Sequence, residues 1–447
     1  MAAAQTLVRY GAKVLLLDEQ ASPGGQIFRR PTAASQSPPA LPGYARILQD
    51  VYRDPAQCGI RYRSMQCAWG ISSTGEIHVA GAMGSRTYAT SNLIIATGAS
   101  EWVLPVAGWT LPGVTTAGGA QALLKTSGVL VGQRIAIGGS GPLLLQVATQ
   151  LATAGATIVG VFDATSRAEH ARAAMQVAAH PPTAMLGVRM LAALYRRGIK
   201  VHRGYAITEI RGATKATSIR TEKIGGNSKH SVNLDVDAVC LSSGLIPAIE
   251  LAALRGCAVT FNPHLGVWGV ARDESMATSV EGVFAIGDGA QIGGARNAVL
   301  EGEVAGVSVA QRLGCLPRIE AETHRKTLHR RLAALAPIRR YAEATMGPRP
   351  HLIAALRSDT IVCRCEDVPL SEVHAAIDDG ARSLHELRTR CRVGMGNCQG
   401  RTCMSTVARV LSVRASIALG NIPYPRQRPP LRPLSLRELC PTKETAP

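Results

Sequence analysis

Five of the chain's eleven cysteines fall within 41 residues. They read Cys363-Arg364-Cys365, then Cys391, then Cys398 and Cys403 within Gly394-Met395-Gly396-Asn397-Cys398-Gln399-Gly400-Arg401-Thr402-Cys403. Thiolates are soft ligands, and four of them converging from two short loops would hold a metal or an iron–sulfur cluster. Such a cluster moves one electron at a time, so the spacing points to redox relay before any substrate is considered. Structural zinc also takes four thiolates, but its modules favour two-residue gaps and this segment has none. Glycines 394, 396 and 400 would let backbone amides approach sulfur. Cys398 is expected to lead into a helix whose N-terminal dipole favours thiolate. Arg364, Arg390, Arg392 and Arg401 are expected to offset an anionic cluster.

The rest of the chain must position these thiols. Its 447 residues suit two or three domains at roughly 100–200 residues each. A hydrophobic share of 46% with 18% charged residues describes a globular chain, and 45 glycines against 4% aromatics suit tightly layered α/β structure. No apolar stretch approaches the roughly 18–20 residues that span a bilayer, and no signal peptide is legible. The cysteines outside the cluster (Cys58, Cys67, Cys240, Cys257, Cys315 and Cys440) lack secreted-type spacing, so a reducing, cytoplasmic setting is expected. The net charge of +18 fits an arginine-rich soluble surface, or an anionic partner or inner membrane face. Zinc-finger spacing, a basic helix and an aromatic–basic platform are all missing, which argues against nucleic-acid binding.

Residues 1–11 read as a helix closing on Gly11, and Val14–Leu17 as a strand buried on both faces of a parallel sheet. Asp18-Glu19 stands at that strand's carboxyl end, ahead of Pro23-Gly24-Gly25-Gln26. A dinucleotide-binding unit places its ribose acid there, but it also opens with a strand and a G-x-G-x-x-G turn, which this chain does not show. Short strands follow from about 62 to 88, then Leu93–Ile95 entering Ala96-Thr97-Gly98. Arg134–Ile137 enters Gly138-Gly139-Ser140-Gly141-Pro142, then a helix to about Ala154 and a strand ending at Asp163: a second strand–glycine loop–helix–strand unit. Val283–Ile286 closes on Gly287-Asp288-Gly289, with a helix from about Arg296. Residues 318–357 form an arginine-rich helical connector, and residues 421–433 a proline- and arginine-rich extended tail.

In this order, residues 1 to about 318 resemble a two-dinucleotide-domain flavoprotein of the thioredoxin reductase-like type. The resemblance implies FAD contacts from Asp18 or Glu19, Gly24, Gly25, Gln26, Ala96, Thr97, Gly98 and Gly287, with Asp288 on the ribityl chain. It also implies that a chain starting inside the first helix of the unit holds FAD weakly or not at all. Gly139, Gly141 and Asp163 could serve a second nucleotide, NAD(P). Leu144 replaces the third glycine, so a fold that has lost nucleotide binding stands equally open. The C-x-x-C dithiol of disulfide reductases does not occur. His180, His230 and His264 are scattered and read as surface or packing residues.

The segment from about 361 to 411, with one intervening helix over about 371–379, resembles the bacterioferritin-associated-ferredoxin-like 2Fe–2S module. That resemblance implies Cys363, Cys365, Cys398 and Cys403 as ligands, with Cys391 spare. Taken whole, the chain is similar to the larger flavin–iron–sulfur subunit of heteromeric amino-acid or amine dehydrogenases and oxidases. The group includes the larger flavin–iron–sulfur subunits of hydrogen cyanide synthase, opine oxidase and hydroxyproline dehydrogenase. The implied fold is α/β: an FAD-binding domain in two parts (1–112 and 255–318) around an NAD(P)-type Rossmann-like domain (113–254). A helical connector (319–357), the 2Fe–2S module (358–412) and a tail (413–447) complete it. The implied function is electron relay for oxidation of a C–N bond of a small amino acid, imino acid or opine. Implied partners are a D-amino-acid-oxidase-like flavin subunit and a small ferredoxin-like subunit. Two other readings stay open: a stand-alone NAD(P)H-dependent reductase, and an inert flavoprotein with a zinc module.

Overall fold

The computed structural model describes residues 1–27, 29, 58–178, 180–225, 232–347 and 349–441. Its central sheet has five parallel strands in the order β11-β10-β9-β15-β8. These are β8 (Val114–Thr116), β9 (Arg134–Gly139), β10 (Thr157–Asp163), β11 (Val201–Arg203) and β15 (Ala238–Ser242). Both faces are covered, as the continuous apolar run of β9 requires. Ile135 and Ile137 pack with Leu144, Val147 and Leu151 of α3 (Leu143–Thr153), whereas Ala136 faces the opposite core of Phe162, Ile207 and Ile219. That second core is roofed by an antiparallel sheet of β12 (Tyr205–Arg211), β13 (Ser218–Lys223) and β14 (Val232–Asp235). Each fully buried isoleucine contributes about 1.5–3 kcal/mol of transfer free energy. Helix α2 (Ala117–Ser127) starts because Thr116 Oγ1 accepts from the Gly119 amide, and it stops at the left-handed Gly128.

Around this unit lie two parallel strand pairs. One joins β1 (Leu15–Leu17) to β2 (Arg61–Arg63); the other joins β6 (Leu93–Ile95) to β19 (Val283–Ala285). Of the short strands expected over 62–88, β3 (Cys67–Ile71), β4 (Ile77–Gly81) and β5 (Gly84–Tyr88) form an antiparallel meander. Residues 61–63 instead form β2 and pair parallel with β1. Helix α1 (Ala2–Arg9) packs on α6 (Ala295–Arg312). Strand β7 (Ala99–Trp102) leaves the Thr97-Gly98 turn and pairs antiparallel with β16 (Gly244–Pro247). The hairpin of β17 (Val259–Asn262) and β18 (Val267–Val270) lies beyond it.

Helices α4 (Arg167–Ala178) and α5 (Pro181–Arg196) follow β10 in sequence, and α7 (Arg318–Ala334) and α8 (Ala336–Met346) form the connector, with α8 against α4. The carboxyl-terminal module contains β20 (Ile361–Cys363), β21 (Val368–Pro369), α9 (Leu370–Asp378), α10 (Leu384–Cys391) and α11 (Met404–Arg414). Sequence reading expected one helix between the cysteine groups. The second, α10, forms because Ser383 and Glu386 close a capping box at its start. The module is not a separate ball: Cys363, Cys403 and Leu411 share one apolar core with Trp102, Val283 and Trp268. Among the described residues no helix is long and apolar enough to cross a membrane.

Candidate functional site: paired thiols beside a flavin-type turn

Strand β20 delivers Cys363 into the core at 1% exposure, and Cys365 follows at the surface. Cys398 lies in the loop between α10 and α11, and Cys403 caps the start of α11. The helix that was expected to follow Cys398 is therefore headed by Cys403. The four thiols stand as two bonded pairs, Cys363 with Cys403 and Cys365 with Cys398. In each pair one sulfur has its pKa lowered and the other raised. The Cys403 thiol, and behind it the amides of Gly394, Glu366 and Cys365, bring Cys363 down to about 5. Burial opposes ionisation of Cys398, but the amides of Thr402 and Gly400 and the Cys365 thiol outweigh it and lower its pKa. Cys403 is pushed up by its bond to Cys363 and by burial. The Cys398 amide favours the Cys365 thiolate, but burial and the bond to Cys398 sulfur raise Cys365 overall. Thiolate is the ligating form, so binding a metal or cluster here would displace the protons that remain.

As the thiols are placed, no three or more His, Cys, Asp or Glu side chains among the described residues are grouped closely enough to hold a metal ion. Zinc would draw four thiolates around one point, whereas a two-iron cluster takes two thiolates at each iron. The loop also leaves room only for glycine where it must: a Cβ on Gly396 would run into the Cβ of Cys365. Cys391 belongs to neither pair. Its thiol bonds back to the Leu387 carbonyl of its own helix at 3.1 Å, and burial raises its pKa. The expected arginine offset is largely committed elsewhere. Arg390 pairs with Asp379 (2.6 Å) and Arg392 with Glu366 (2.8 Å), while Arg401 donates to the Leu431 carbonyl.

The flavin-type motifs come together across nearly 200 residues of sequence. Ile286 N donates to Ile95 O at 3.0 Å, extending β6–β19 into the two turns. These turns touch so closely that a Cβ on Gly289 would lie 2.7 Å from both Gly98 N and Thr97 Oγ1. Thr97 Oγ1 donates to the Ala248 carbonyl (2.6 Å), and Ala248 N returns a bond to Gly98 O (3.0 Å), which fixes the Ala96-Thr97-Gly98 turn. Asp288 accepts from the amides of Gly293 (2.8 Å) and Gly294 (2.7 Å); burial still raises its pKa. Gly287 N donates to Glu301, which also holds Arg272 through two 2.7 Å contacts. Neither Glu301 nor Arg272 was singled out from sequence, where each looks like any helix or loop charge.

Of the two candidate ribose acids, Asp18 turns inward and Glu19 is exposed. Asp18 Oδ1 accepts from Gln20 N at 2.9 Å, and burial raises its carboxyl pKa. Gly24, Gly25 and Gln26 continue along the turn that follows β1, a strand of a different sheet from β6 and β19. Lys125 of α2 ties this turn to the central unit. Its ammonium, 7% exposed, donates to the carbonyls of Gln26 (3.2 Å) and Ile27 (3.1 Å) and to Gln121 Oε1 (3.0 Å). Burial, with Arg29 nearby, lowers its pKa to about 8 from 10.5. The folded chain therefore gives up this proton more readily than the unfolded chain. The resulting penalty is full below about pH 8 and disappears as pH rises towards 10.5. Wild-type stability is expected to climb across that window and Lys125→Met to flatten the climb, which urea midpoints measured at several pH values will show.

The second glycine loop faces the chain itself. A Cβ on Gly141 would lie 2.5 Å from Met346 Cγ, so the last residue of α8 covers the loop. Gly139 lies against the Ser242 carbonyl, which also accepts from Ser140 N at 2.8 Å. Asp163 is 4% exposed and fully engaged: Oδ2 meets His170 Nε2 at 2.8 Å, and Oδ1 accepts from Thr165 N at 2.8 Å. Arg349 closes the same corner through Thr165 Oγ1 (2.9 Å) and Glu169 (3.2 Å). His180 bonds locally to Thr183, and His264 is exposed; His230 lies outside the described residues.

Two tryptophans stitch the thiol module to the flavin-type unit. Trp102 Nε1, at the end of β7, donates to Thr406 Oγ1 at 3.0 Å, one turn into α11. Trp109 Nε1 donates to the Ile361 carbonyl at 2.6 Å, and the Arg364 guanidinium sits 5.3 Å from the Trp109 ring centre.

The comparisons with known proteins agree with this architecture. Residues 1–311 match the pyridine nucleotide-disulphide oxidoreductase family model, and residues 361–412 match the BFD-like [2Fe-2S] binding domain. The A subunit of opine oxidase from Rhizobium meliloti (strain 1021) is 32% identical, covering 97% of this chain and 94% of that protein. Hydrogen cyanide synthase subunit HcnB of Pseudomonas aeruginosa is 29% identical over 97% of this chain and 94% of its own length. The crystal structure of L-proline dehydrogenase from P. horikoshii shares the fold, with a TM-score of 0.70 at 18% identity, over 98% of this chain and 77% of that one. The chain belongs to the pyridine nucleotide-disulphide oxidoreductase family, as an FAD-dependent oxidoreductase that carries a BFD-like [2Fe–2S] domain at its carboxyl end.

Proposed function

We propose that this chain relays electrons in a heteromeric oxidase or dehydrogenase that oxidises the C–N bond of a small amino acid, imino acid or opine. In this reading a partner flavin protein oxidises substrate to the imine, releasing two electrons, and this chain carries them onward. The names of its relatives support the substrate class: an opine oxidase subunit, a hydrogen cyanide synthase subunit and, by fold, a proline dehydrogenase. FAD accepts an electron pair and can release it singly, and a 2Fe–2S cluster carries single electrons.

The observation that carries the proposal is a short path between the two sites, four residues of strand followed by one hydrogen bond. Strand β7 leaves Thr97-Gly98 and reaches Trp102 four residues later, about 13 Å of extended chain. The Trp102 indole then bonds Thr406 in the helix that Cys403 heads. Here Asp18, Gly24, Gly25, Gln26, Ala96, Thr97, Gly98, Gly287 and Asp288 would hold FAD, and Cys363, Cys365, Cys398 and Cys403 the cluster. The buried Trp102 and Thr406 keep water out of the space between them. A stand-alone NAD(P)H reductase fits less well, since Met346 covers Gly141 and His170 engages Asp163.

The test is co-purification with a flavoprotein encoded beside this chain. Anaerobic addition of the partner's amino-acid or opine substrate is expected to bleach flavin and produce the reduced cluster's paramagnetic signal. NADH alone should do neither. Full bleaching by NADH with this chain alone would overturn the reading in favour of a reductase.

A further inference from the structure

Among the described residues the most deeply buried cation belongs to no ion pair. Arg409 lies on α11, six residues after Cys403, at 3% exposure. Its Nη1 donates to the Ser405 carbonyl (2.8 Å) and Ser405 Oγ (2.5 Å), and its Nη2 to the Gly266 carbonyl (2.9 Å), with Leu265 O at 3.5 Å. Its flat face lies over Trp102, 4.1 Å from the ring centre. Every one of these partners is neutral, and Nε has none. Burial alone lowers its pKa from 12.5 to about 10, with no carboxylate acting on it.

Buried charges are ordinarily paired or bound to an ion, because desolvation strongly disfavours them otherwise. Carbonyl dipoles and an indole face solvate this guanidinium but do not neutralise it. Its charge is therefore solvated but not cancelled, and is left to act on an anion that forms nearby. The side chain folds back along the helix to Ser405, only two residues beyond Cys403. At about 1.5 Å of rise per residue, that places the positive charge on the order of 10 Å or less from the Cys403 end of the thiol pairs. The low-dielectric core in between transmits the field with little screening. Of the module's other arginines, Arg390 and Arg392 already face carboxylates, and Arg364 and Arg401 are exposed to screening solvent.

We propose that Arg409 is a positioning residue for the electron: its unneutralised buried charge raises the reduction potential of the cluster held by the four thiols, drawing electrons from flavin towards it. The net charge, hydrogen bonding and burial around a cluster are the levers that set its potential. Trp102 has a double part here, as the face that carries Arg409 and as the link from the flavin-type turn. This inference rests on the cluster reading above. A full chain with no paramagnetic signal after reduction would refute that reading, whereas a signal whose potential ignores Arg409 would refute this one alone.

The experiment is a redox titration of the full-length chain in complex with its partner, following the cluster's paramagnetic signal. Arg409→Met is expected to disfavour cluster reduction at least tenfold, a fall of about 59 mV for one electron, while Arg409→Lys keeps most of the wild-type value. Ser405→Asp keeps the guanidinium but gives it a carboxylate within reach, so it should lower the potential similarly without leaving a buried charge unpaired. If Arg409→Met does not accumulate as folded protein, Arg409→Gln, which removes the charge but can still donate to the Ser405 or Gly266 carbonyl, decides the matter, because the carboxylate of Ser405→Asp also acts on the cluster by its own charge. An unchanged potential in the folded variants, with iron content intact, overturns the proposal.

Discussion

Serine in place of Cys403 is expected to strip the chain of iron, and serine at Cys363, Cys365 or Cys398 to do the same, while Cys391→Ser leaves iron content unchanged. Serine nearly preserves the volume at Cys403, which is 2% exposed, so the loss should come from chemistry rather than from a cavity. In the paired arrangement each pair contains one sulfur with a lowered pKa and one with a raised pKa, and both would ligate as thiolates. Taking one sulfur away leaves its pair a single ligand. Disturbing residues that merely orient a metal's ligands costs 10–100-fold in affinity, and loss of a ligand itself should exceed that. Cys391 differs because its thiol already serves the Leu387 carbonyl. Iron per chain and the visible spectrum after anaerobic purification are the measurements. A Cys403→Ser chain with full iron and an unaltered spectrum would remove Cys403 from the ligand set.

The resemblance to the 2Fe–2S module implies this contrast between Cys391 and its four neighbours, but not the reason for it. Short-range pattern places Cys363 and Cys365 on one turn and Cys398 and Cys403 on another; it says nothing of which sulfur meets which. The same limit runs through the chain. The run Ile135–Ile137 declares a strand covered on both sides, because its period and composition are local properties. Lys125 is invisible in the sequence as anything but a helical lysine, since its acceptors lie almost 100 residues earlier. Trp102 and Thr406 are 304 residues apart. The second glycine loop is the sharpest case. Its pattern admits a nucleotide, and Leu144 alone hinted otherwise, yet Met346 and Arg349 arrive from a connector read only as arginine-rich helix. Contacts at that separation are set by packing of whole elements, which no window of residues encodes.

Removal of Glu301 is expected to destabilise the chain by about 3–5 kcal/mol, out of the 5–15 typical of a whole domain. Arg272 and Glu301 have side chains 8% and 5% exposed, so Glu301→Ala would leave a guanidinium buried without its counter-charge. It would also orphan two further donors, Gly287 N at 2.7 Å and Asn297 Nδ2 at 2.5 Å. The double variant Arg272→Met/Glu301→Leu separates these effects, because a well-packed apolar pair of similar volume often matches a buried ion pair in stability. Urea unfolding should therefore show the double variant recovering much of what Glu301→Ala loses. Flavin content should not recover with it. The Gly287 amide would still lack its acceptor, and the Gly287-Asp288-Gly289 turn would lose the brace that presses it against Thr97 and Gly98. A double variant with full flavin would mean that Glu301 serves stability alone and that Asp288 is positioned by Gly293 and Gly294 without help.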